Sequence, residues 1–369
     1  MAEQNPLCRL HEHGQSVWLD FIERGFIRRG ELARAVREDC VAGVTSNPAI
    51  FHKAITEDRQ YDEDIAALAR AGRTPASIYD ELVVADIRAA ADVLRPVYDD
   101  TNGADGYVSL EVSPHLARDA GGTVEDGLRL WRAVDRPNLM IKVPATIEGL
   151  QAIARLTEEG VNVNVTLLFS VERYTSVVDS YMQGLERRLA ARQPIDRIAS
   201  VASFFLSRID TLVDKRLEGI GTPQALALRG EAAIASARLA YRRYVSLCDG
   251  DRWKALAAQG ARAQRLLWAS TGTKNPAYSD TKYVDPLIGP DTVTTLPPET
   301  LQAYRDHGRP ARTLEADWQQ AAQVVESLQA LGIELRQVAA QLEEEGLKKF
   351  VEPFDATLAA IAERAHRVA

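Results

Sequence analysis

Leu139-Met140-Ile141-Lys142-Val143-Pro144-Ala145-Thr146 sets one lysine inside a short apolar run. Such a run, followed by a proline and then by a helix-like stretch over 146–156, reads as a buried parallel strand leading into a helix. A lysine there is costly. Burial strips water from its ammonium and favours the neutral amine. A neutral amine on an apolar wall is what attack on a carbonyl requires. A second reading stays open at this point: Lys142 points out of the strand end into an ion pair.

Working outward, seven more runs resemble this one, at 17–21, 40–45, 106–112, 161–169, 198–205, 265–270 and 292–296. Within 161–169, Asn162, Asn164 and Thr166 fall on one face of a strand with period two. Pro48 forbids continuing the second run and holds Asn47 extended. Helical stretches lie between the runs, at 30–39, 75–94, 123–134, 170–191 and 206–217, with Thr123 as the expected cap of the third. Strands alternating with helices call for a parallel sheet. Eight such units suit an α/β fold of the (β/α)8 TIM-barrel type. An open doubly wound sheet is the alternative, but no glycine-rich phosphate motif follows the early strands. The expectation is one barrel domain over 1–369. A helical insert falls at about 223–258, and C-terminal helices lie at about 314–331 and 335–368.

Composition excludes several classes. A formal net charge of −8 and a pI near 5.4 argue against nucleic acid as the main partner. No apolar run approaches membrane-spanning length, and the N-terminus lacks a signal-peptide core. Cys8, Cys40 and Cys248 form an odd, scattered set, which fits free thiols in a reducing, cytoplasmic compartment. Asn164-Val165-Thr166 matches a glycosylation sequon but lies in an apolar strand. His11-Glu12-His13 reads as a solvated surface cluster, and no metal-ligand spacing accompanies it. The six histidines show no arrangement suited to a Ser-His-Asp triad.

In a barrel, chemistry gathers at the C-terminal ends of the strands. Those ends carry Asp20, Asn47, Glu111, Lys142, Thr166 and Ser203, with Lys274 just after the seventh run. Each has an ordinary reading: Asp20 as a turn residue, Asn47 as turn chemistry before proline, Glu111 paired with an arginine, Thr166 and Ser203 as helix caps. The inference rests on all of them meeting at one end of one barrel.

These residues sit in recognisable motifs. Gly43-Val44-Thr45-Ser46-Asn47-Pro48-Ala49-Ile50-Phe51 resembles the N-terminal signature of the transaldolase family, and Met140–Thr146 (MIKVPAT) resembles its Schiff-base lysine motif. Val161–Ser170 (VNVNVTLLFS), Val201–Arg208 (VASFFLSR) and Trp268–Pro276 (WASTGTKNP) resemble its strand ends, in the family's order, from about residue 6 to 350. The resemblance is to the longer bacterial branch. It implies a class I aldolase-type barrel that transfers a dihydroxyacetone unit. The donor would be sedoheptulose 7-phosphate or fructose 6-phosphate, and the acceptor glyceraldehyde 3-phosphate or erythrose 4-phosphate, in the pentose phosphate pathway. By the same resemblance Lys142 is the Schiff-base lysine and Asp20 the acid/base group at the donor's C4 hydroxyl. Glu111 and Thr166 hold a water and move protons. Asn47 and Ser203 bind the dihydroxyacetone hydroxyls, and Arg208 binds phosphate. Shorter relatives carry a second phosphate arginine after strand seven; here Lys274 is the nearest cation.

The chemistry agrees with that assignment. A protonated imine at C2 draws electrons from the C3–C4 bond, so cleavage needs a base at the C4 hydroxyl. The imine is already the electron sink that a metal supplies in the other aldolase class, so no cofactor is implied. Phosphorylated sugars are the expected partners; monomer and homodimer both stay open. Related aldolases, which release dihydroxyacetone, tend to carry tyrosine where this chain has Phe205, and that favours transfer. A non-catalytic sugar-phosphate sensor is the rival of another class, but it would not need Lys142, Asp20 and Glu111 together.

Overall fold

A computed structural model of the chain describes residues 5–368. Eight parallel strands close into a barrel in chain order. They are β1 (Gln15–Leu19), β2 (Val41–Val44), β3 (Tyr107–Glu111), β4 (Leu139–Pro144), β5 (Val163–Leu168), β6 (Ser200–Phe205), β7 (Arg265–Ala269) and β8 (Thr292–Leu296). The last strand pairs with the first, from Gln15 beside Thr292 to Leu19 beside Leu296. Nearly every strand residue is buried, because helices cover the outside while side chains fill the inside. This is why the strands read as unbroken apolar runs instead of alternating ones. The fold is a (β/α)8 TIM barrel.

The helices fill the connections. α1 (Pro6–Glu12) precedes β1, and α2 (Arg24–Arg28) and α3 (Glu31–Glu38) follow it. α4 (Pro48–Glu57), α5 (Asp62–Arg70) and α6 (Pro75–Asp100) lead to β3, and α7 (Ala120–Val134), α8 (Ile147–Glu158) and α9 (Val171–Ala190) follow the next three strands. α10 (Ser207–Ile220), α11 (Pro223–Ala227), α12 (Ala232–Cys248) and α13 (Asp251–Ala257) separate β6 from β7. After β8 come α14 (Pro298–His307), α15 (Trp318–Ala330) and α16 (Leu335–Val368). The expected helical insert at 223–258 consists of α11, α12 and α13.

Side-chain caps explain several boundaries. Thr146, directly after the Lys142 strand, accepts the Gly149 N–H and donates to the Ala117 carbonyl, so it starts α8 and ties β4 to the loop after β3. Asp119, not Thr123, caps α7, by accepting the Gly122 N–H; the Thr123 hydroxyl donates to the Leu116 carbonyl. α15 begins at Trp318 instead of 314, because Asp317 takes a left-handed backbone and the Leu314 N–H is spent on Ile288. α4, α5 and α14 are helices that the periodicity reading left out.

The lower, N-terminal end of the barrel is plugged by polar bonds. Asp105 accepts hydrogen bonds from Ser16, from the Trp18 indole at 2.8 Å and from Arg265 at 3.2 Å. The indole lies flat over Gly43, where any Cβ would come within 2.5 Å of its ring, so only glycine fits there.

The expectation of three free thiols is corrected. Cys8 on α1 and Cys40, one residue before β2, form a disulfide, and Cys248 is the free cysteine. A separation of 32 residues does not reveal that α1 folds back beside β2. Its polar contacts do: Asn5 donates to Asp39 and to the Glu38 carbonyl, and a His11 ring nitrogen lies 2.9 Å from the Cys40 carbonyl oxygen. Among the described residues no helix is long and apolar enough to cross a membrane.

Candidate active site

Strand register decides which side chains meet. Glu111 sits beside Lys142 across β3 and β4, and Pro144 beside Thr166 across β4 and β5. Lys142 points into the barrel and is 4% exposed. Its Nζ donates to the Ser46 carbonyl at 2.9 Å and lies 4.0 Å from a Glu111 carboxylate oxygen. The inward reading therefore holds, and the ionic neighbour of the other reading is present too, inside the barrel instead of at the rim.

Both carboxylate oxygens of Glu111 are buried, and neither has a hydrogen-bond partner. Burial pushes its carboxyl up to about 7, Lys142 opposes that shift, Asp20 adds to it and Arg208 opposes it. A group poised there gives or takes a proton near neutrality. Thr166 is buried beside Pro144, two residues on from Lys142 along β4, and its hydroxyl also lacks a protein partner. The left-handed backbone of Leu167 and a register shift in the β5–β6 pairing mark a bulge in β5, after which Leu168 pairs with Phe204.

Asp20 follows β1, and its N–H donates to the Leu296 carbonyl at the β8 end. One carboxylate oxygen accepts the Thr45 hydroxyl at 2.7 Å. Asn47 is extended, as proline requires, and its side-chain carbonyl caps α4 through the Ile50 N–H at 3.0 Å. The amide NH2 group is left for another partner. Ser203 donates to Asn164 at 2.7 Å, and Asn164 donates to Ser109 at 2.9 Å, so β3, β5 and β6 are stitched across the interior.

Arg208 lies in the first turn of α10, its guanidinium carbon 5.3 Å above the Phe205 ring, and Phe205 packs against Phe169. Its Nη1 is buried without a partner. Burial lowers the pKa of Arg208, while Glu111, Asp20 and Glu345 oppose that. Pairing with Asp210 does not occur, because Asp210 accepts Tyr283 and the Ala233 N–H. Lys274 is exposed on the loop after β7. Among the described residues no cluster of three or more His, Cys, Asp or Glu side chains forms a metal-binding group.

α16 reaches over this end of the barrel. Gly346 brings its backbone against the Leu167 side chain and within reach of Arg208, and a Cβ there would fall 2.8 Å from Leu167. Farther along, His52 contacts Thr357 and His115 contacts Asp355.

The family profile described as transaldolase/fructose-6-phosphate aldolase matches residues 17–361. Transaldolase from Thiobacillus denitrificans is 50% identical over 348 residues, covering 94% of this chain and 97% of that protein. Transaldolase from Saccharopolyspora erythraea is 50% identical over 365 residues, 99% of each chain, and that from Trichodesmium erythraeum is 46% identical over 375 residues. The chain belongs to the transaldolase/fructose-6-phosphate aldolase family. It is an enzyme, a transferase. All the transaldolase-like motifs read from the sequence fall inside the matched span.

The residues missing from the sequence reading are Thr45, Thr295, Ser109 and Gly346. Thr45 had a signal: it follows the small inward residue Gly43 by two positions in the transaldolase signature, so it shares that face. Gly346 had none, since nothing in a helical stretch tells which turn will meet a strand end.

Proposed function

We propose that this enzyme is a transaldolase of the pentose phosphate pathway. It carries a dihydroxyacetone unit from sedoheptulose 7-phosphate or fructose 6-phosphate to glyceraldehyde 3-phosphate or erythrose 4-phosphate through a Schiff base on Lys142. The observation that carries the reading is an enclosed amine with a carboxyl group of raised pKa 4.0 Å away. Lys142 adds to the C2 carbonyl, and the carbinolamine loses water to give a protonated imine. Glu111, with Thr166 and a held water, passes the protons of that step. Asp20 takes the C4 hydroxyl proton as the C3–C4 bond breaks, the aldose leaves, and the enamine remains. The acceptor aldehyde then takes the enamine carbon, Asp20 returns the proton to the new hydroxyl, and water releases the product from Lys142.

Asn47 and Ser203 bind the hydroxyls of the three-carbon unit. Arg208 takes the phosphate: its buried Nη1 has no protein acceptor, and an α10 N-terminus adds partial positive charge. Lys274 supplies a second, more distant cation. The whole chain works as one barrel unit. A cytoplasmic location rests on the sugar phosphates, whose charge keeps them from crossing membranes, and no longer on free thiols.

Phe205 supports transfer over plain aldol cleavage. Packed between Phe169 and Arg208, it offers no hydroxyl to protonate the waiting enamine. Borohydride reduction in the presence of fructose 6-phosphate, followed by peptide mapping, is the test. A dihydroxyacetone-sized adduct on the Lys142 peptide is expected, and an adduct on Lys274 overturns the assignment.

A further inference from the structure

Cleavage requires one oxygen of Asp20 to receive a proton, and the surroundings distinguish its two oxygens. Oδ1 accepts the Thr45 hydroxyl at 2.7 Å, whereas among the described residues no donor reaches Oδ2. The hydroxyl oxygens of Thr45 and Thr295 lie 2.9 Å apart, and both residues are buried. A hydroxyl carries a single hydrogen. That of Thr45 is committed to the carboxylate, so Thr295 is the donor in the second bond. The chain therefore has one direction, Thr295 to Thr45 to Asp20.

The backbone holds all three members. The Asp20 N–H donates to the Leu296 carbonyl at 2.8 Å, and the Thr45 N–H to the Leu19 carbonyl at 2.9 Å. The Thr271 hydroxyl donates to the Thr295 carbonyl at 2.7 Å. The ends of β8, β1 and β2 thus form one rigid platform.

We propose that the Thr295–Thr45 hydroxyl chain positions Asp20, keeping Oδ1 occupied and leaving Oδ2 as the oxygen that takes the substrate proton. This rests on Asp20 being the base of the proposed reaction. The other charged groups acting on Asp20 are Glu111 from β3 and Arg208 from α10, with Lys142 beyond Glu111. None of them donates to Oδ1. The plain alternative is that two threonines satisfy each other in a strand-rich interior, with Asp20 a bystander.

Steady-state kinetics with fructose 6-phosphate and erythrose 4-phosphate separate the two. Thr45→Val keeps the shape and removes the donor. It should lower kcat by roughly 10–100-fold, the size of one lost charge-assisted bond, with KM little changed. Thr295→Val should show a smaller loss of the same kind, and no further loss when added to Thr45→Val, because it acts only through Thr45. Thr45→Ser should restore most of the rate. Borohydride trapping on Lys142 should persist in every threonine variant, since imine formation does not use Asp20. An unchanged kcat in Thr45→Val, or additive losses in the double variant, overturns the chain. An absent adduct in the wild-type enzyme, or an Asp20→Ala variant of full activity, overturns the underlying reading and the chain with it.

Discussion

Lys142 was legible from eight letters of sequence, because a lone cation in an apolar strand has few fates. The state of Glu111 was not legible, since its pKa depends on how completely the barrel encloses it. That enclosure has a measurable effect. A carboxyl raised from 4.5 to about 7 binds its proton more tightly in the folded state than in the unfolded one. Folding stability is then greatest below the unfolded pKa and falls as pH rises across that window. Glu111→Gln removes the titration. Relative to the variant, the wild-type protein should lose on the order of 3 kcal/mol between pH 4.5 and 7.5, read by denaturant unfolding at a series of pH values. The same substitution should depress kcat, because an amide cannot pass a proton. Arg208 yields a second expectation at this scale. Arg208→Ala should weaken kcat/KM for fructose 6-phosphate by roughly 2–4 kcal/mol and leave slow cleavage of fructose almost untouched. Equal losses on both substrates would mean that the side chain shapes the pocket without reading phosphate.

Among the elements, all eight strands were visible as apolar runs, with ends misplaced by one or two residues. α4 and α14 were hidden because each begins at a proline that also closes a strand, and the proline was read as a stop. A proline in the first helical turn is equally a start. α16 was visible as a helix, but its seat was not. Gly346 sits inside a long helix, where glycine costs about 1 kcal/mol against alanine, and the space it leaves is filled by Leu167. Gly346→Val should therefore overpack that seat and destabilise the protein by about 1–3 kcal/mol. Adding Leu167→Ala should recover much of the loss in thermal unfolding. A single variant as stable as the wild type would show that α16 shifts freely on the barrel.

For the whole molecule, the seat of α1 and the Cys8–Cys40 bond were the features least accessible to sequence reasoning, since cysteine count and spacing carry no record of chain reversal. The bond closes a short loop at the end of the barrel opposite Lys142. Its reduction should cost about 3–4 kcal/mol by loop-closure entropy and leave turnover intact. Calorimetry with and without a phosphine reductant, and on Cys8→Ser, measures this. An unchanged midpoint would mean that the polar contacts of Asn5 and His11 hold α1 unaided.

The seam between β1 and β8 also has a consequence during synthesis. Gln15 finds its partner Thr292 only 277 residues later. At ribosomal speeds of roughly 5–20 residues per second, β1 waits about 15–55 s with one edge unpaired. That edge belongs to the strand that leads into Asp20, and its apolar Val17-Trp18-Leu19 stretch is open to wrong partners throughout. The newly made chain is thus most vulnerable along the strand whose correct closure completes the barrel end that carries Asp20.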